Sequence, residues 1–350
     1  MNTGWETDLA AFVRSQMGAV PERLDRLAGG ANNIGIRVEL GGRCLFAKVY
    51  FRHPGDERDR LGAEFRMLKF LWSNGIRCVP QPLACEPESG IGLYEFVEGR
   101  TPVRESISWE DVAQLAGFLV AICRLRKQSG AGDLAAASEA CFSIADYVRL
   151  QDARMERLTA AAAGIPERDG FVALVQQRLP AVRQQVAEFV ELVAGDAGIS
   201  INESLAADAW TLSPADHGFH NALRRGQGLV FLDFEYAGWD DPAQMIANAC
   251  LQPRIPIPGT LCDRFVTEVL GQLPHSTAVA KRLRMVYPLV GLKWAMIMLN
   301  EFLPVAMERR RFAGEDPEAR KREQLGKAVR QLDAVEKYLE QGRWDWELTA

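Results

Sequence analysis

The chain has 350 residues, more than one typical domain, so two lobes are expected. Its residues are 48% hydrophobic and 25% charged, which excludes wholesale disorder. A net charge of −5 offers no basic footprint for nucleic acid, and it is compatible with a cationic substrate without requiring one.

Seven cysteines (Cys44, Cys78, Cys85, Cys123, Cys141, Cys250 and Cys262) form no CxxC pair, which reads as reduced thiols in a cytoplasmic protein. The four histidines show no zinc-ligand spacing. The N-terminal residues lack a basic start and an apolar core, so no signal peptide is expected. The apolar stretch Val286 to Pro304 is interrupted by Pro288, Lys293, Asn300 and Glu301, and it reads as a buried helix rather than a membrane span. The oligomeric state is not legible.

In chain order, residues 5–17 read as an amphipathic helix. Ile34 to Leu40, Gly41-Gly42 and Cys44 to Phe51 read as a β-hairpin with a Gly-Gly turn. Arg60 to Trp72 has helical spacing at Leu61, Phe65, Leu68 and Leu71, and Gly92 to Val97 reads as another strand. Residues 1–97 are therefore expected to form a nucleotide-binding lobe, an antiparallel sheet with one helix. Residues 98–350 read as mainly helical, with candidates at 108–127, 143–163, 169–196, 243–251, 260–272, 277–303 and 315–341. Only residues 200–242 read as short strands and turns. The fold class expected is α+β with two lobes.

Gly29-Gly30-Ala-Asn32-Asn33 is a glycine-rich turn. It serves either as an ordinary hairpin turn or as a cradle whose backbone N–H groups approach phosphates, and it is not a Walker sequence. Lys48 lies inside an apolar strand, so it either reaches outward to solvent or points into a polar site. Glu64, sixteen positions on, begins an apolar helix, where it could pair with the lysine and hold it against nucleotide phosphates. The backbone from Glu95 to Val97 ends the sheet region, either as a plain edge strand or as a binding edge for adenine.

Asp216-His-Gly-Phe-His-Asn221 sets a carboxylate and a carboxamide five positions apart in a turn, and Asp233 follows the apolar run Leu229 to Leu232. Phosphoryl transfer needs one acidic group to orient and deprotonate the attacking hydroxyl, and two oxygen ligands to hold Mg²⁺. Asp216 is the candidate base, and Asn221 and Asp233 are the candidate metal ligands. His217 and His220 read as loop-shaping residues. Asp241-Pro242 reads as a helix cap, and the roles of Glu235 and Asp240 stay open. Arg309 to Phe312 and the charged segment 315–340 read as a solvated helical face, and Trp344-Asp-Trp346 as a docking anchor.

These residues, in this order, resemble the aminoglycoside phosphotransferase and choline kinase family, a branch of the protein-kinase-like fold, over residues 24–305. The resemblance implies an ATP-dependent kinase that phosphorylates a hydroxyl of a sugar, amino alcohol or aminoglycoside-like acceptor. In it Lys48 and Glu64 position ATP, Asp216 is the base, and Asn221 and Asp233 bind Mg²⁺. The chain departs from the family pattern in having Pro214-Ala215 before the aspartate and Gln244 where an acidic residue follows Asp-Pro. A protein kinase and a non-catalytic nucleotide-binding scaffold are the alternatives. The acceptor site is expected from segments 143–196 and 277–305, carrying Asp146, Tyr147, Asp152, Lys293, Asn300 and Glu301. An acidic wall beside Asp216 would favour an amine-bearing acceptor.

Overall fold

The computed structural model describes residues 4–27, 33–53, 58–165, 170–313 and 317–342. Gly29, Gly30, Asn32 and Trp344 to Trp346 lie outside the described residues.

The first part is α1 (Gly4–Met17), β1 (Arg23–Arg26), β2 (Asn33–Leu40), β3 (Arg43–Tyr50), α2 (Arg60–Ser73), β4 (Pro82–Glu86) and β5 (Ile91–Glu95). The strands form an antiparallel sheet in the order β1-β2-β3-β5-β4. At the β2–β3 turn Gly41 and Gly42 both take positive φ, 58° and 73°, as a two-residue hairpin that keeps the strand twist requires. The edge strands β1 and β4 were not expected from the sequence. Arg-Leu-Asp-Arg has little apolar content, and β4 begins with a proline, which suits only an edge or a strand start.

Alternation along the strands sorts the two faces. Ile34, Ile36 and Val38 of β2, Leu45, Ala47 and Val49 of β3, and Ile91 and Leu93 of β5 pack with Leu9, Phe12 and Val13 of α1. The sheet thus carries a helix on each side, where one was expected. Gly35, Phe46, Lys48 and Tyr94 line the cleft on the other face.

The remainder is α3 (Trp109–Arg124), α4 (Ile144–Ala162), α5 (Gly170–Ala173), a π-helical segment, α6 (Leu179–Ala197), β6 (Thr211–Ser213), β7 (Ala222–Arg225), β8 (Gly228–Phe231), β9 (Gly238–Asp240), α7 (Pro242–Leu251), α8 (Gly259–Gln272), α9 (Ser276–Met298), α10 (Pro304–Ala313) and α11 (Pro317–Gln341). Helix α9 is central, with Val286 to Met296 buried throughout and α4, α6, α7, α8 and α11 packed around it. Among the described residues no single helix is long and apolar enough to cross a membrane; the bent pair 276–302 and 304–312 meets the length and composition criteria together.

Helix α10 corrects one expectation. Arg310 is not on a solvated face: it is 7% exposed and its Nε donates to both carboxylate oxygens of Glu301 at 3.0 Å. Beyond it Phe312 packs edge-on against Phe51 at 5.5 Å, so α10 ties the helical part back to the sheet.

Candidate active site

Lys48 reaches the cleft because β3 turns every second side chain that way. Its cross-strand neighbours are Gly35 and Gly92, which put no side chain beside it. Lys48 Nζ donates to Glu64 Oε2 at 2.7 Å and to Asp233 Oδ1 at 2.6 Å, and lies 3.6 Å from Glu235 Oε2. Glu64 is delivered by α2, whose N-terminus is capped by the Asp59 side chain. The same Glu64 oxygen accepts from the Tyr50 hydroxyl at 2.6 Å, and Tyr50 meets the Tyr94 hydroxyl at 2.7 Å. Sequence reading missed both tyrosines, although Tyr50 stands two positions after Lys48 on the same strand face. Burial works to lower the Lys48 pKa, but Asp233, Glu64 and Glu235 outweigh it and hold the ammonium well above its ordinary value.

The segment 214–221 joins β6 to β7, and Phe219 at its centre is fully buried and anchors it. Gly218 takes φ 157° and ψ −179°, a region open essentially only to glycine, and a Cβ there would press on His220 Nδ1 at 3.2 Å. Asn221 Nδ2 donates to the Asp216 carbonyl at 2.9 Å. Strand β8 is locked alongside: Leu232 N–H donates to the Asn221 carbonyl at 2.8 Å, and Phe231 and Phe234 both pack on Phe118 of α3. Asp233 leaves the strand at φ 66°, in the left-handed region that aspartate tolerates better than most residues. Burial first, then Glu235 and Glu64, raise its carboxyl above the ordinary range against the pull of Lys48.

Asp216 opens on the cleft with its side chain 30% exposed, and its buried Oδ1 has no hydrogen-bond partner among the described residues. His220 Nε2 stands 3.3 Å from that oxygen. Burial works to raise the Asp216 pKa, but His220, His217 and Arg254 hold it below the ordinary carboxylate value, so it is ionised at neutral pH. His217 Nε2 donates to the Met245 carbonyl at 2.9 Å, and burial lowers its pKa to about 4; this is the loop-shaping role expected of it. His220 instead meets Gln252 Nε2 at 3.2 Å and faces the Asp216 carboxylate.

Asn33, Lys48, Glu64, Glu95, Val97, Asp216, Asn221 and Asp233 all line one cavity of about 1540 Å³. Asn33 is committed within the protein: its Oδ1 accepts from Phe51 N–H at 3.0 Å, and its Nδ2 donates to Glu235 Oε2 at 2.5 Å. Glu235 therefore bridges Asn33 of β2 and Lys48 of β3. The Glu95 N–H is taken by the Gln81 carbonyl at 2.8 Å. Asp241 accepts from Ala243 N–H at 2.8 Å as the cap of α7, and its other oxygen binds Tyr147 and Arg282. Asp240 accepts from Gln244 Nε2 at 2.8 Å.

Of the six acceptor-site candidates, Lys293, Asn300 and Glu301 line the cavity. The other three serve the scaffold: Asp146 closes a capping box with Ser143, Tyr147 donates to Asp241, and Asp152 pairs with Arg183. Among the described residues, segment 143–196 contributes through α4 alone, with Leu150, Arg154, Arg157, Ala160 and Ala161.

The donor set suits a hard cation. Asn221 spends its amide on the Asp216 carbonyl and offers its oxygen, and Asp233 offers a carboxylate; two such ligands fit an ion completed by phosphate oxygens and water. Among the described residues no group of three or more His, Cys, Asp or Glu forms an all-protein metal cage.

An antiparallel sheet over a helical lobe, a buried lysine–glutamate pair and an Asp-x₄-Asn loop beside a strand-end aspartate define a protein-kinase-like phosphotransferase. The model of the phosphotransferase enzyme family matches residues 23–280, and the chain belongs to that family. It acts on a hydroxyl acceptor. A search of curated proteins finds no match. Similar solved structures include a choline kinase from Cryptosporidium parvum Iowa II, 13% identical, TM-score 0.62, covering 96% of this chain and 97% of that one. The choline kinase LicA from Streptococcus pneumoniae is 17% identical, TM-score 0.60, covering 95% and 99%. A spectinomycin phosphotransferase in complex with ADP and spectinomycin is 14% identical, TM-score 0.59, covering 95% and 98%. At these identities the likeness speaks for the fold.

Proposed function

We propose that this protein is an ATP- and Mg²⁺-dependent kinase that transfers the γ-phosphoryl group to a hydroxyl of a small organic acceptor. The supporting observation is the convergence of Lys48, Glu64, Asp216, Asn221 and Asp233 on one cavity, with His220 Nε2 3.3 Å from the Asp216 carboxylate. The acceptor is of sugar, amino-alcohol or aminoglycoside size; the neighbours named for choline and spectinomycin support small acceptors of this kind.

In this reading Asp216 orients the acceptor hydroxyl and takes its proton as the oxygen attacks phosphorus in line. Lys48, held by Glu64, faces the phosphates. Asn221 and Asp233 would hold Mg²⁺, which when bound neutralises phosphate charge. The backbone around Val97 offers an edge for adenine, and we divide the lobes there, 1–97 and 98–350. The seven cysteines form no disulfide, which supports a cytoplasmic site of action.

Asp216→Asn keeps the shape and removes the base. ADP release with ATP, Mg²⁺ and an accepted substrate is expected to fall by ~10²–10⁴-fold in kcat, with the melting temperature retained. A variant that turns over at the parental rate removes Asp216 from the role of base.

A further inference from the structure

The half of the cavity away from the nucleotide residues is built by α4, the 138–139 turn, α7, α9 and the chain that runs from Asn300 into α10 and α11. Its carboxylates are already held: Glu139 by the Arg154 guanidinium, and Glu301 by Arg310 and Arg320. Its cations are in excess. Lys293 is 6% exposed and donates to the neutral Asn248 Oδ1 at 3.0 Å, and Arg157 donates to the Ala153 carbonyl at 3.1 Å. Neither has a carboxylate within 4.0 Å among the described residues.

Arg154, Lys293 and Arg58 all act electrostatically on Glu139, and Arg154 and Arg58 repel Arg157, so these groups crowd one region around a single carboxylate. Asp240 acts on Lys293 from outside the cavity lining. Burial pulls the Lys293 ammonium below its ordinary value despite Glu139 and Asp240, the signature of a cation short of negative charge. Two buried donors on this wall, Arg154 Nε and Trp294 Nε1, have no acceptor among the described residues. Buried donors left unmade are costly, and a ligand rich in acceptor oxygens satisfies them. An ammonium group placed here meets cations and finds each wall carboxylate occupied.

We propose that the acceptor carries an anionic group, a carboxylate or a phosphate monoester, which Arg157 and Lys293 bind beside Arg154 while its hydroxyl faces Asp216. This deepens the kinase reading and rests on it. The wall is thus the opposite of the acidic one that would select an amine, and Gln244, a neutral side chain, lines the same cavity.

The test is ADP release with ATP and Mg²⁺ on matched acceptors: gluconate, sorbitol, glucamine and sorbitol 6-phosphate, with glycerate, glycerol and glycerol 3-phosphate as a shorter set. The anionic members are expected to be turned over best, and the carboxylate and phosphate arms separate the two sources of charge. Arg157→Gln, on an exposed stretch of α4, is expected to raise the anionic acceptor's KM about tenfold or more while the ATP KM stays put. Neutral or amine members used as well as the anionic ones overturn the proposal, and so does an Arg157→Gln effect on ATP alone.

Should no member release ADP, calorimetric titration of gluconate, sorbitol 6-phosphate and sorbitol separates the two ideas. Anion-selective binding that Arg157→Gln abolishes upholds the anion site and counts against the kinase reading. Equal or absent binding of all three removes the anion site. Turnover confined to sorbitol or glycerol keeps the kinase and removes the anion site.

Discussion

On the sheet side of the cleft the Lys48 ammonium meets the carboxylates of Glu64, Asp233 and Glu235, with the Arg60 guanidinium 3.8 Å from Glu235; on the helical side Glu139 meets Arg154 and shares its surroundings with Lys293 and Arg157, while Glu301 is held by Arg310 and Arg320. The first wall has too few cations for its carboxylates and the second too few carboxylates for its cations. Charge in a poorly solvated site is tolerable only when paired, so each excess points to what should enter: a cation on one side, an anion on the other.

The largest effect should come from removing the cation that three carboxylates of the first wall share. Lys48→Met leaves Glu64 and Asp233 against an apolar side chain, with Glu235 still 3.8 Å from Arg60, and breaking a buried pair from one side costs ~3–5 kcal/mol. Urea denaturation should register a loss of that size, together with collapse of phosphotransfer. A loss below about 1 kcal/mol would mean that Asp233 and Glu235 are not crowded in solution. Because Tyr50 also holds Glu64, the glutamate is expected to stay in place in the variant, so the loss reports the charge and not a displaced helix.

A smaller, pH-dependent effect sits behind the second wall, at Asp240, which acts on Lys293 from outside the cavity lining. Asp240 is fully buried, its Oδ2 has no partner among the described residues, and burial pushes its carboxyl from 3.8 up to about 7. Its folded pKa exceeds the unfolded one, so the native state holds the proton more tightly and stability falls as pH rises from about 4 to about 7. Asp240→Asn mimics the protonated form and has no proton to lose. The variant should match the parent near pH 4 and exceed it at pH 8, by on the order of 4 kcal/mol at most. Thermal unfolding across pH 4–8 decides this, and a constant difference between the two proteins would show that Asp240 does not titrate in that window.

The residues proposed for the reaction centre could be picked out because their pattern is local: an Asp-x₄-Asn loop, a strand-end aspartate and a lysine interrupting an apolar strand each carry a short-range signal, and the structure brings them to one cavity. The long apolar helices were legible for the same reason, since periodicity reports burial. The edge strands were not, because an edge needs little apolar content. The basic wall was not legible either. Arg154 and Arg157 sit on a helix with ordinary charge spacing, and Glu139 lies in a turn; only packing α4 against the 138–139 turn and α9 brings them together with Lys293. Nor did the basic run at 309–312 reveal that Arg310 turns inward to Glu301, which is nine positions away across the start of α10.

The smallest effect concerns how Asp216 is presented. The residue before it, Ala215, takes φ 64°, and an L-residue there costs ~1–2 kcal/mol relative to right-handed backbone. Glycine pays nothing for that geometry but loses about 0.5–1 kcal/mol through its freer unfolded chain. Ala215→Gly should therefore leave stability unchanged or raise it by up to about 1.5 kcal/mol, whereas the same change within a helix lowers it. The turn is held from both sides by bonds that do not involve the methyl group: Ala215 N–H to Ser213 Oγ at 3.0 Å, and Asp216 N–H to the Pro214 carbonyl at 2.8 Å. Since those bonds set the aim of the carboxylate, kcat should stay within about twofold, read by ADP release on whichever acceptor the panel identifies. A clear drop in kcat with stability raised would show that the strain at Ala215 is itself part of how the base is positioned.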